Sequence, residues 1–217
     1  MIDALDTIGQ LEPPEICADV DALLAAPRTA PEDREAAEEI RDSIRRVLAM
    51  AAIGADPGEV LELAHATASS AARLDDRALR SAADHALAVA LDRHGDLEAA
   101  RTAAEAALWS AYAVDDAQGI TLAASHLVFA TGYRAGDGKL AQVYAELARA
   151  TTAKGGVGVE LRARLAESIA ASASMNGDLT TAVTESEAGI ALLEQIGDTD
   201  GQARALEGVG QLLESLG

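Results

Sequence analysis

From about residue 32 onward, apolar residues recur at helical spacing in stretches separated by short polar turns rich in Gly and Asp. Three of these turns match one another. His94-Gly95-Asp96-Leu97, Ala135-Gly136-Asp137-Gly138 and Asn176-Gly177-Asp178-Leu179 recur every 41 residues. Glycine at such a step takes the left-handed conformation that ends one helix, and aspartate caps the free amides of the next. Each turn therefore predicts a helical hairpin. A less regular copy stands at Gly54-Ala55-Asp56-Pro57, where Asp56 is a natural cap and Pro57 suits the first helical turn. A second punctuation marks the passage between hairpins: Asp75-Asp76, Asp115-Asp116, the glycine-rich Lys154-Gly155-Gly156-Val157-Gly158, and Asp198-Thr199-Asp200. The predicted pairs are 32–53 with 57–74, 77–94 with 96–113, 117–134 with 137–153, and 159–176 with 178–195. A lone helix is predicted at 200–216.

After each hairpin glycine, small residues return at offsets of five, nine and twelve. They are Ala100, Ala104 and Ala107, then Ala141, Ala145 and Ala148, then Ala182, Ser186 and Gly189, with Ala64 in the expected place of the earlier copy. These offsets put small side chains on neighbouring faces of one helix, so that another backbone can approach closely. Composition agrees. Hydrophobic residues make up 49% of the 217 but aromatics only 2%, so the core must come from Ala, Leu, Val and Ile, and propensity favours helix over strand. The equal spacing predicts an all-α stack of about four hairpins, with residues 1–31 as a connector carrying short helical segments and 32–217 as the helical-repeat domain. Gly217 lies where a further Gly-Asp turn would begin. The last helix is therefore either a cap, with Glu207 and Glu214 toward water, or the stump of another repeat; Leu206, Val209, Leu212, Leu213 and Leu216 are expected to cover the last hairpin. Trp109, Tyr112, Phe129 and Tyr144 are expected to pack between repeats.

A formal net charge of −19 repels phosphate backbones and anionic lipid, which argues against nucleic acid and membrane surfaces as partners. The single cysteine, Cys17, can form neither an internal disulfide nor a zinc site and is compatible with a reducing cytosol. Met1 to Asp6 lack the basic start and apolar run of a signal peptide, and no stretch of roughly 18 residues is free of charge as a membrane helix requires. A cytoplasmic protein is expected.

The small-residue pattern after a Gly-Asp turn resembles the tetratricopeptide repeat over residues from about 32 to the end. The usual period there is roughly 34 residues, so a period of 41 implies longer helices, and the aromatic positions of that family are mostly Ala or Leu in this chain. The resemblance implies a right-handed α-α superhelix. Two segments say more: Ala107-Leu108-Trp109-Ser110-Ala111-Tyr112-Ala113-Val114-Asp115-Asp116, followed by Leu127-Val128-Phe129-Ala130-Thr131-Gly132-Tyr133-Arg134. They resemble the tetratricopeptide region that follows the catalytic domain in bacterial serine/threonine protein kinases. The segments Cys17-Ala18-Asp19-Val20 and Pro31-Glu32-Asp33 are similar to the connector found there. The resemblance implies a regulatory or sensory module whose repeats bind a partner and bias a neighbouring kinase. A free-standing adaptor, organising an assembly or controlling a transcription factor, is the alternative. The chain carries no glycine-rich phosphate loop, no His-Arg-Asp catalytic loop and no Asp-Phe-Gly motif, so neither an enzyme nor a nucleotide cofactor is expected.

In such stacks the first helix of each pair lines the inner face. Aligning the repeats on their turns puts Arg45, His85, His126 and Glu167 in one row, and Asp92, Arg93, Tyr133 and Arg134 in another. The candidate partner-binding face is thus Arg45, His85, Arg93, His126, Tyr133 and Arg134, suited to an acidic protein or peptide segment because guanidinium groups fork onto carboxylates. His85 and His126 alone are too few ligands for zinc. The paired carboxylates Glu38-Glu39 and Glu185-Glu187 have no accompanying nucleophile.

Overall fold

The computed structural model describes residues 30–216; the expected 1–31 connector falls almost wholly outside the described residues, as does Gly217. A 3-10 turn, Pro31–Asp33, leads into nine α-helices: α1 Arg34–Ala52, α2 Pro57–Ala71, α3 Arg77–His94, α4 Leu97–Tyr112, α5 Ala117–Val128, α6 Gly138–Thr152, α7 Val159–Met175, α8 Leu179–Ile196 and α9 Thr199–Leu216. No strand occurs among the described residues.

Turn chemistry sets the helix ends. At the hairpin turns Asp56 accepts from the amides of Gly58 and Glu59, Asp96 from Ala99, Asp137 from Leu140 and Asp178 from Thr181, at 3.0–3.1 Å. Between hairpins Asp76 accepts from Leu79, Asp116 from Gly119 and Asp198 from Gly201, at 2.8–3.0 Å. Gly95, Gly136 and Gly177 have φ of 96°, 69° and 78°, the left-handed region in which only glycine is unstrained. The turn ahead of α7 differs: Gly158 caps it without a side chain.

Consecutive helices pack as antiparallel hairpins, and each hairpin also meets the next. The first helices stack on one another, α1 on α3, α3 on α5 and α5 on α7, and α9 lies on α8. The small residues form the seam. Ala64, Ala100, Ala104, Ala107, Ala141, Ala145, Ala148, Ala182 and Gly189 are all buried, and Leu108, Leu127, Val128, Val47 and Val60 are the large side chains fully enclosed among them. On the opposite layer, the second helices are tied together. Tyr144 of α6 donates to Glu105 of α4 at 3.0 Å, and Arg149 of α6 pairs with Glu185 of α8.

Three expectations are corrected. Trp109 and Tyr112 are 62% and 59% exposed and touch only edge to face, 6.2 Å apart, because the buried stripe of α4 is already filled by Ala104, Ala107, Leu108 and Ala111. Phe129 and Tyr144 are half-buried; Tyr144 does pack against the core. Leu206 turns outward from α9 at 56% exposure, whereas Val209 is half-buried, and the side chains of Leu212, Leu213, Glu214 and Leu216 lie outside the described residues. Finally, the helix expected over 117–134 is not uniform. After Val128 it widens into a π-helix, Phe129–Arg134, with the Ala135 amide bonded to the Ala130 carbonyl and the Asp137 amide to that of Thr131. At its centre Gly132 lies against Ser172 and Ala141, and the Asn176 side-chain amide donates to the Gly132 carbonyl at 3.2 Å. Contact with α7 thus supports the widened turn.

Candidate binding cleft across the first helices

A cleft of about 240 Å³ opens across three successive hairpins. His85, Asp92 and Arg93 reach it from α3, His126 from α5, Phe129 from the π-helix and Arg164 from α7. Stacking of the first helices in near-equal repeats makes this convergence: positions 41 residues apart come to lie side by side.

The two histidines meet at the base, ring centroids 5.6 Å apart and planes at 87°. His85 is 5% exposed and His126 half-buried. Nδ1 of His85 and Nε2 of His126 are enclosed and have no hydrogen-bond partner among the described residues. An orphaned acceptor is better tolerated in a protein interior than an orphaned N–H, so each ring is best served by holding its proton on the other nitrogen. Burial holds both rings neutral. It lowers the His85 pKa to about 3, with His126 and Arg164 adding to the effect. Burial likewise depresses His126, with Asp92 opposing and Arg134 and Arg164 reinforcing.

The rim is built by the π-helix. Phe129 and Tyr133 stack at 4.8 Å, Arg134 lies over the Phe129 ring at 5.9 Å, and its Nη2 is 3.3 Å from both carboxylate oxygens of Asp92. The Arg134–Asp92 pair spans 42 residues, one off the 41-residue register, in keeping with a π turn that takes in one extra residue. The guanidinium groups of Arg93 and Arg164 make no hydrogen bond or salt bridge among the described residues; the Arg164 carbonyl accepts from Ser168 Oγ at 3.0 Å.

Of the six expected residues, His85, Arg93 and His126 line the cleft, and Tyr133 and Arg134 join it through Phe129 and Asp92. Arg45 does not. It lies exposed on α1, bonded to Asp42 of its own helix, and α1 contributes no residue to the cleft lining. Glu167, of the same predicted row, is exposed on α7 and outside the cleft lining. In its place stands Arg164, which the alignment on turns passed over; it precedes Glu167 by three residues, so the same helical face was the available signal.

The chain matches no family model and no curated protein sequence. Among the described residues no three His, Cys, Asp or Glu side chains are grouped to hold a metal ion, and no helix is long and apolar enough to cross a membrane.

Proposed function

We propose that the chain is a non-catalytic protein-interaction scaffold of tetratricopeptide type, which captures an acidic segment of a partner protein in the cleft across α3, α5 and α7. One observation carries this reading. In a chain of net charge −19, two guanidinium groups without a salt-bridge partner among the described residues, Arg93 and Arg164, flank two neutral imidazoles in one cleft. Guanidinium–carboxylate forks are among the stronger hydrogen bonds a surface can make, and the surrounding negative field turns away anions not matched to the cleft.

The scaffold serves as the sensory or regulatory module of a bacterial serine/threonine kinase signalling system. That part rests on the resemblance of the segments Ala107–Asp116 and Leu127–Arg134, the second of which contributes the π-helix at the rim. A reading frame continuous with a kinase catalytic domain, or a kinase recovered with the chain from the source cell, supports the assignment; a kinase-free neighbourhood and a kinase-free capture overturn it.

The cleft is tested by capture from lysate of the source cell with the wild-type chain and a double variant, R93E and R164E. Capture should be lost while far-ultraviolet circular dichroism stays unchanged. Capture by the variant equal to wild type rules the cleft out as the partner site.

A further inference from the structure

Two guanidiniums without a salt bridge among the described residues outnumber what a single carboxylate requires. Once Arg134 is set against Asp92, the guanidiniums of Arg93 and Arg164 are left without a salt bridge among the described residues, Arg164 keeping only a longer-range attraction to Glu167. Glu167, the neighbouring carboxylate on α7, feels Arg204 more strongly than Arg164 and lies outside the lining. His85, 5% exposed, and His126 form part of the cleft wall, and their N–H groups, on the nitrogens other than the enclosed Nδ1 of His85 and Nε2 of His126, add donors without adding charge. A carboxylate brings one charge and a planar fork that one guanidinium satisfies. A phosphate monoester brings nearly two charges and three acceptor oxygens.

We propose that this cleft is a recognition site for a phosphate monoester dianion, held between Arg93 and Arg164 with His85 and His126 donating from below. The proposal rests on the reading of this cleft as the partner-binding site and names the group recognised there. The volume of about 240 Å³ takes a phosphoryl group and the first atoms of its carrier, and Val89 and Leu122 supply apolar wall for that carrier. Two carriers share this chemistry: a phosphorylated side chain of the partner protein, or a free small phosphate ester.

Calorimetric titration of the full chain at pH 7.5 with phenyl phosphate, benzoate, and a pentapeptide carrying one central phosphoserine or glutamate separates the cases. Phenyl phosphate should bind about tenfold or more tightly than benzoate, and R164Q should weaken it by a similar factor with helicity retained. His126, followed by its ring proton resonances, should titrate at higher pH with phenyl phosphate bound, since the anion favours the imidazolium. A phosphopeptide that binds more tightly than phenyl phosphate identifies the protein-borne source, and the reverse order identifies the free ester; both support the site. Equal affinity for phenyl phosphate and benzoate, no binding of phenyl phosphate, or undiminished binding by R164Q overturns it. Should that happen while the R93E and R164E variant still fails to capture its partner, the phosphate assignment falls and the acidic-partner reading stands.

Discussion

A methyl group at Gly132 would sit 1.8 Å from Ser172 Oγ and 2.5 Å from its Cβ, with the Ala141 Cβ at 2.9 Å, so the π-helix can lie against α7 only if this residue has no side chain. G132A should destabilise the fold by about 1–3 kcal/mol, read as a lower urea midpoint, and S172G placed with it should recover part of the loss; a G132A midpoint equal to wild type contradicts the close approach. Two adjacent residues of α3 give a second test, because burial moves them in opposing senses. Asp84 is raised from 3.8 to about 6 by burial, with Arg80 pulling it back. Folded chains therefore hold a proton there that unfolded chains have released, a contribution present at acid pH and lost as pH rises through about 6. His85, lowered from 6.5 to about 3, stays neutral when folded, so its contribution is present above the unfolded value and is lost as pH falls below it. Between about pH 4 and 6 the two slopes oppose each other. D84N removes one of them and should make the protein lose stability more steeply on acidification than wild type, by less than the roughly 1.4 kcal/mol per pH unit of a fully buried group. Parallel pH profiles from chemical denaturation exclude this balance.

At the scale of the helix, the caps and the seam carry separate predictions. The exposed cap Asp178 accepts from the Thr181 amide, and D178A should lower the melting temperature modestly. Asp76 is 7% exposed, caps Leu79 and lies 3.9 Å from Arg41, so D76A should cost more; the reverse order in thermal melts would show that burial and Arg41 add nothing to the cap bond. Ala104 is fully buried and Ala145 is 3% exposed, and leucine at either should overpack the seam by about 1–3 kcal/mol. Leucine at the exposed Ala150 serves as control. These caps and seam positions were legible in the sequence, because Gly-Asp steps and small-residue offsets act locally and each predicts a helix end or a face by itself. The π-helix was not. Its widening is supported by Ser172 and Asn176, some forty residues further along the chain, and nothing within Phe129–Arg134 announces that contact. The same limit explains the aromatic residues: hydrophobicity suggested burial for Trp109 and Tyr112, but a seam of alanines brings backbones too close to admit an indole or a phenol ring. For the cleft, the repeat period correctly brought His85 beside His126, whereas it took Arg45 for a neighbour and overlooked Arg164, since turn alignment counts residues rather than following each helical face.

Across the whole molecule, burial is uneven. The twelve residues of α5 include seven that are buried, whereas the eighteen of α8 include three, Ala182, Gly189 and Leu193. In a stack whose stability is a sum over neighbouring interfaces, α8 and α9 should open at lower free energy than α5 and α6, and native-state hydrogen exchange should show protection falling toward the C-terminal helices. Uniform protection from α1 to α9 would mean that the chain unfolds as one unit in spite of this gradient. The alanine seam also bears on how such a chain changes over generations. A position filled by a methyl group against a neighbouring backbone tolerates replacement by glycine or serine and little else, while a solvent-facing position one residue away accepts almost any letter. Inheritance of the architecture is then carried by a sparse set of small residues and turn aspartates. At the corresponding positions Ala107, Ala148 and Gly189, with Ala104, Ala145 and the half-buried Ser186 beside them, the copies of the 41-residue unit within this chain keep small side chains where they touch.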